Sequence, residues 1–312
     1  MSRTKKHYLV AVFIVTALSM ITRIGSAQQS PLWKIVVLGM AQDAGYPQAG
    51  CKKSCCESYW TGEQEKRSVT CLGLLNTASK KAWLFEATPD IKHQLHVLDT
   101  LGYELEGIFI THAHIGHYAG LIHLGREVMG ANNIPVYVMP KMKNFLESNG
   151  PWDQLVALQN ISLIPLQNER AVRLASNMNV TPILVPHRDE YSETVGYRIS
   201  TSNNNLLFIP DINKWQTWDK SLADEINAVD YALLDAAFFA DGELPGRDMS
   251  KIPHPFTTET MNLLKELPKE QKSKVHFIHF NHTNPAMFES PQRSQVLNRG
   301  FNIVLEGMVF DL

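Results

Sequence analysis

Several familiar signatures are missing from this 312-residue chain. There is no G-x-S-x-G elbow and no Walker loop, which disfavours serine hydrolases and nucleotide-phosphate enzymes. No low-complexity tract and no repeat with a period of roughly 20–50 residues is present, which sets aside solenoids and propellers. There is no basic surplus either: 29 Lys and Arg face 31 Asp and Glu. A chain of that balance has little attraction for a polyanion such as nucleic acid. Cysteine is sparse, with four residues.

Long apolar runs are scarce as well. The one candidate is N-terminal, where Arg3, Lys5 and Lys6 precede an apolar stretch from Tyr8 to Ile21 and small residues at Gly25, Ser26 and Ala27. This reads as a secretory leader over residues 1–27, cleaved after Ala27. The stretch is short for a membrane span, and an uncleaved anchor is the alternative. Cleavage would remove Arg3, Lys5, Lys6 and Arg23 and no acid, leaving a more acidic chain. The expectation is an exported protein, periplasmic or extracellular, with a small-molecule substrate. Neither nucleic acid nor, after cleavage, a membrane is expected as a partner, and a homodimer is left open.

What is present is a regular alternation of strands and helices over residues 28–312. The runs 33–40, 69–76, 81–87 and 107–111 read as strands, as do 134–139, 178–186, 194–200, 205–210, 229–236, 274–280 and 301–307. A helix is expected from Thr88, as N-cap, with Pro89 at its first position. Others are expected over 117–130, 141–149, 214–226, 257–267 and 285–297. No linker interrupts the alternation, so one layered α/β domain is expected.

Chemistry concentrates in "THAHIGHYAGL", residues 111–121. His112, His114 and His117 fall where a strand passes into a helix, and an H-x-H pair there turns both imidazoles toward one point. Imidazole is the commonest side-chain metal ligand and suits zinc, iron and nickel. A solvated or packed histidine cluster is the bland reading.

This stretch resembles the metallo-β-lactamase superfamily signature T-H-x-H-x-D-H-x-x-G-L, with Gly116 where the family has aspartate. The resemblance implies a four-layer αββα sandwich with a metal site at one edge. It continues in order through His187 of "ILVPHRDE", Asp211 of "NLLFIPDIN" and His279 of "VHFIHFNHTNP". Carried over, His112, His114 and His187 hold one ion, His117 and His279 hold a second, and Asp211 bridges them. The loss at Gly116 implies a second site that is weak or that recruits a ligand outside the family pattern. On that view Gly116→Asp should tighten it. Zinc is the expected ion, with manganese or iron as alternatives at the catalytic site.

"VVLGMAQDAGYPQAGC", "LLDAAFF" and "HFNHTNP" further resemble the branch of pyrroloquinoline quinone biosynthesis protein B and the cyclic-phosphate phosphodiesterases. Some members of that group carry a structural zinc, which here implies Cys51, Cys55, Cys56 and His282. A disulfide involving Cys71 and free thiols are the rivals.

Glu86 and Asp235 are expected to orient the histidine loops rather than bind metal, unless they merely cap backbone amides. His254 lies on a Gly/Pro-rich loop that could lid the site and donate a proton; a plain loop histidine is an equal reading. For Asp43 and Tyr46, in the first loop, a place at the pocket's border is the weaker of two readings. Asp189 and Glu190 either support His187 or are simply solvated, and His93, His96, His123 and His276 read as ordinary surface or packing residues.

The leading expectation is a metal-dependent hydrolase of a small ester, lactone, lactam or phosphodiester. Asp211 would orient the attacking water and His254 would protonate the leaving group. The alternatives are a metal-dependent oxidase or hydroxylase like protein B, with iron and against the export signal, and a non-catalytic binding protein on the same scaffold.

Overall fold

A computed structural model describes residues 32–312; the expected leader lies outside the described residues. Strands form where β-branched and aromatic residues run together. The first sheet holds β1 (Trp33–Gly39), β2 (Cys71–Asn76), β3 (Lys81–Phe85), β4 (Glu104–Phe109), β5 (Ile134–Val138) and β6 (Ile161–Pro165). The second holds β7 (Val172–Ala175), β8 (Met178–Leu184), β9 (Val195–Ser200), β10 (Asn205–Ile209), β11 (Tyr231–Asp235), β12 (Val275–Ile278) and β13 (Asn302–Ile303), while β14 (Val309–Asp311) returns to the first. The orders are β14-β1-β2-β3-β4-β5-β6 and β13-β12-β11-β10-β9-β8-β7.

Both faces of the first sheet are buried, and β1 shows how. Ile35 and Val37 point into the core between the sheets, with Phe85, Tyr197 and Phe208. Their neighbours Val36 and Leu38 pack outward with Ile91 and Leu98 of the helix Ile91–Thr100 and with Leu146 and Leu155 of two later helices. Period-two alternation therefore feeds two cores rather than one core and solvent. This is the expected αββα sandwich. Among the described residues no helix is long and apolar enough to cross a membrane.

In each sheet the strands that precede the histidines and acids of interest run the same way. β3 pairs in parallel with β4, and β10 with β11 and β11 with β12. β1 and β8 share those directions through antiparallel neighbours. The loops after β1, β3, β4, β8, β10, β11 and β12 thus open at one edge, the carboxyl ends of the strands.

Several expected elements differ. The helix expected over 117–130 is a single turn, Ile115–Tyr118, followed by a 3-10 turn, Ala119–Leu124. The cause is the neighbouring loop: Ala87 N donates to His117 O and Gly120 N donates to Ala87 O, each at 2.8 Å, so the backbone bonds sideways instead of continuing the helix. Gly120 is required for that approach, since a Cβ there would lie 2.0 Å from Thr88 O. Gly120→Ala should cost about 3 kcal/mol by overpacking. Its Tm should fall by roughly 6–12 °C, and a melting curve unchanged from wild type would refute this contact.

Other elements differ in extent. Pro291 starts a new helix, Pro291–Asn298, and splits the one expected over 285–297. The stretch 214–226 divides into a 3-10 turn and the helix Leu222–Asn227, and 257–267 shortens to Thr257–Leu263. The helix expected from Thr88 starts at Ile91, with Thr88 Oγ1 accepting from Asp90 N at 3.0 Å. The strand expected over 301–307 keeps only Asn302–Ile303, while β6, β7 and β14 were not foreseen.

Candidate metal centre

Strand ends deliver the histidines to one point. His112 and His114 follow β4, His187 follows β8, Asp211 follows β10 and His279 follows β12. His117 sits in the short turn Ile115–Tyr118. Asp211 Oδ2 lies 3.4 Å from His112 Nε2, 3.2 Å from His187 Nε2, 3.9 Å from His114 Nδ1 and 3.8 Å from His117 Nε2. One carboxylate oxygen therefore faces four imidazoles. Three overlapping groups result, each with its ligand atoms within 4.8 Å of one another: His112, His114, His187 and Asp211; Asp43, His117, Asp211 and His279; and Asp211, Asp235, His254 and His279.

The surroundings fix ring orientation. Thr111 Oγ1 lies 2.9 Å from His112 Nδ1. Glu86, wholly buried, accepts from Thr111 N at 3.3 Å and lies 3.2 Å from His117 Nδ1. Glu190 Oε2 lies 3.1 Å from His114 Nε2. Glu86 and His279 adopt φ of 84° and 68°, in the left-handed region. Non-glycine residues held there cost on the order of 1–3 kcal/mol and tend to cluster at functional sites.

Asp235 and His254 form a second layer of the same site. His254 Nδ1 lies 2.9 Å from Asp235 Oδ2 and 3.2 Å from Asp211 Oδ1. The expected lid histidine is therefore a buried wall of the site. Its loop is pinned by Phe238, Met249, Ile252 and Phe256, which form a small core of their own. Burial alone would lower the His254 pKa, but Asp235 and Asp211 outweigh it and raise the net value. Burial pushes His112 well below the ordinary histidine range, aided by the neighbouring His117. For Asp211 burial acts upward, and the surrounding His254, His187, His112 and His114 hold the carboxyl well below its usual range.

Whether these residues suit a cation can be judged from the polar atoms left over. Both ring nitrogens of His187 and of His279, with Asp211 Oδ1 and Glu86 Oε1, are buried without a hydrogen bond of proper geometry. Each such atom ordinarily costs about 1–3 kcal/mol. Gathering several around one buried carboxylate makes sense if a divalent ion completes them, and imidazole with carboxylate is a donor set for zinc, manganese or iron.

Cys51, Cys55, Cys56 and His282 form a fourth group within 4.8 Å. Cys51 and Cys55 Sγ stand 3.9 Å apart. A disulfide would need about 2.0 Å, whereas two corners of a zinc–thiolate tetrahedron lie about 3.8 Å apart. Cys71, the proposed disulfide partner, points elsewhere, toward Leu72 O and Glu86 O, and all four cysteines are free. Tyr46 belongs to this side as well, donating from its hydroxyl to Cys55 O at 2.7 Å.

A cleft of about 680 Å³ lies beside the cysteines rather than over the histidines, and Lys52, Lys53 and Arg247 line it. A smaller one, about 210 Å³, shares Gln48, Asn281 and His282 with it and reaches Gln42 and Asp43. Asp43, for which a place at the pocket's border was the weaker expectation, stands among the possible ligands beside His117.

Comparisons agree with this fold. The model of the β-lactamase superfamily domain matches residues 82–279. Coenzyme PQQ synthesis protein B of Klebsiella pneumoniae is 27% identical over 314 residues, covering 89% of this chain and 98% of that protein. Its counterpart in Methylorubrum extorquens is 25% identical over 309 residues, covering 89% and 99%. Among solved structures, Zn(2+)-bound PqqB from Methylobacterium extorquens superposes with a TM-score of 0.76 at 21% identity, covering 89% of this chain and all of that one. A diphosphatase of the PhnP family gives 0.63 at 19% identity, covering 89% and 96%. The clusters are able to coordinate metal, and together with this scaffold they make a metal-dependent catalytic site of the metallo-hydrolase type. With more than half its length matched and every layer of the sandwich in place, the chain belongs to the β-lactamase superfamily, in its metallo-β-lactamase fold and related to the protein B branch.

Proposed function

We propose that the chain is a two-ion hydrolase of a small anionic ester, a phosphodiester above all. The observation that carries this is Asp211 Oδ2, set between the imidazoles of two metal-binding groups. His112, His114 and His187 would hold one ion with Asp211, and His117 and His279 the other. Such ions supply Lewis acidity toward a phosphoryl or carbonyl oxygen and acidify water.

This chain's own residues do the rest. Glu86 keeps His117 turned toward Asp211 and ties that loop to Thr111 N. Asp235 anchors His254 at Nδ1, and Gln42 Nε2 meets its Nε2 at 3.4 Å. The two acids favour the protonated imidazole, which suits a proton donor to the leaving group. Lys52, Lys53 and Arg247 in the adjoining cleft favour an anionic substrate over a neutral lactone. The cysteine group with His282 would hold a structural zinc.

The second reading is metal-dependent oxidation or hydroxylation of a biosynthetic precursor. The end-to-end likeness to coenzyme PQQ synthesis protein B favours it over hydrolysis. His117 and His279 with one carboxylate also make the two-histidine, one-carboxylate set of non-haem iron enzymes. The leader expected at residues 1–27 favours hydrolysis, since cofactor assembly belongs in the cytoplasm.

Elemental analysis of the purified chain, followed by assays with bis-p-nitrophenyl phosphate, nitrocefin and a lactone panel, separates the two. Zinc or manganese content with ester cleavage, lost in His114→Ala, is the expected result. Iron content with oxygen consumption and no cleavage would overturn hydrolysis in favour of oxidation. Cleavage surviving in His114→Ala would refute the site.

A further inference from the structure

We propose that Asp43, from the loop after β1, is the carboxylate ligand of the second ion, in exchange for the acid missing at Gly116. This rests on the two-ion reading above.

The argument begins with space. A Cβ at position 116 would lie 2.3 Å from Asp43 Cα, 2.5 Å from Asp43 Oδ1 and 2.8 Å from Asp43 Cβ. Gly116 has no left-handed φ to demand a glycine. What demands it is Asp43, whose backbone and side chain fill the room another side chain would take. A carboxylate at both positions is excluded, and a glycine at one is what admits the acid at the other.

Position agrees with space. Asp43 Oδ1 lies 3.0 Å from His117 Nε2 and 3.7 Å from His279 Nε2. These groups and Asp211 present ligand atoms within 4.8 Å of one another. His279 Nε2, buried without a hydrogen bond, faces this cluster, while Nδ1 lies 3.7 Å from Asp235 Oδ1. The first loop is also locked to the loop that carries His279. Phe280 N donates to Met40 O at 2.9 Å and Gln42 N donates to Phe280 O at 2.8 Å, so the two segments pair on either side of the site. Asn281 Nδ2 adds a bond to Gln42 Oε1 at 2.8 Å. A carboxylate held this way is placed before any ion arrives, which limits the ordering cost of binding.

The second site is therefore not impoverished by Gly116. Its acid comes from a place the histidine motif does not cover, and the side chain that Gly116→Asp introduces would collide with it.

The test is a zinc titration with chelator competition on wild type, Asp43→Asn, Asp43→Gly and Gly116→Asp. Cobalt(II) substitution separates thiolate-bound from imidazole-bound ions by their spectra. Asp43→Asn keeps the shape, so folding is retained. It should weaken the second ion on the order of 10–100-fold or more, with the first ion and the thiolate ion unchanged. Gly116→Asp alone should lower Tm and gain no affinity. Asp43→Gly should weaken the second ion at least as much as Asp43→Asn. Wild-type affinity in Asp43→Asn would overturn the proposal while leaving a two-ion centre in place. A wild type that never takes a second ion would instead remove the two-ion reading and this one with it.

Discussion

Asp211→Asn should empty both ion sites and reduce turnover to background. The carboxylate is buried and its Oδ2 reaches four histidines, at 3.2 to 3.9 Å. Asparagine preserves the shape and removes the charge, so the loss is electrostatic rather than steric. Residues that merely orient metal ligands change affinity or activity by roughly 10–100-fold when replaced. A group shared by both ions should exceed that at each site. Zinc content should fall to the single thiolate-bound ion, with circular dichroism unchanged. Retention of the other ions by Asp211→Asn would mean that the two groups do not share this oxygen.

Cys56→Ser should remove the third ion and destabilise the fold without disturbing the histidine sites directly. Burial pushes the Cys56 thiol up to about 12, so without a cation it stays protonated. A bound zinc reverses that preference and couples its own binding to folding. A site filled at about 1,000 times its dissociation constant contributes about 4 kcal/mol. For a domain of this size that corresponds to a Tm lower by roughly 8–16 °C. The effect should also be felt across the centre, since His282 lies three residues beyond His279 on the same loop. An unchanged melting temperature and zinc count would return the cysteines to the status of free thiols.

The sandwich and most of the site are legible in the sequence because both depend on local patterns. Buried strands such as "WKIVVLG" are apolar but for one position, and each of His187, Asp211 and His279 closely follows such a strand. The histidine motif states its own spacing. Two things escape such reading. The turn from Ile115 to Leu124 is decided by sideways hydrogen bonds to Ala87, far away in sequence, and helical propensity loses to them. The role of Asp43 depends on 74 residues of separation from His117. A missing carboxylate at Gly116 looks like a defect until the loop that fills the space is seen. The same applies to His254: a Gly/Pro-rich segment suggests a mobile lid, whereas a four-aromatic-and-aliphatic anchor around Phe238, Met249, Ile252 and Phe256 folds it into the wall.

Anomalous diffraction at the zinc edge, on crystals of the full chain grown with zinc, addresses the central claim most directly. Two peaks should flank Asp211 at roughly 3.5–4 Å from each other, one against His112, His114 and His187 and the other against His117, His279 and Asp43. A third should sit among Cys51, Cys55, Cys56 and His282. A map with the protein ordered and no peak beside Asp211 would contradict the account.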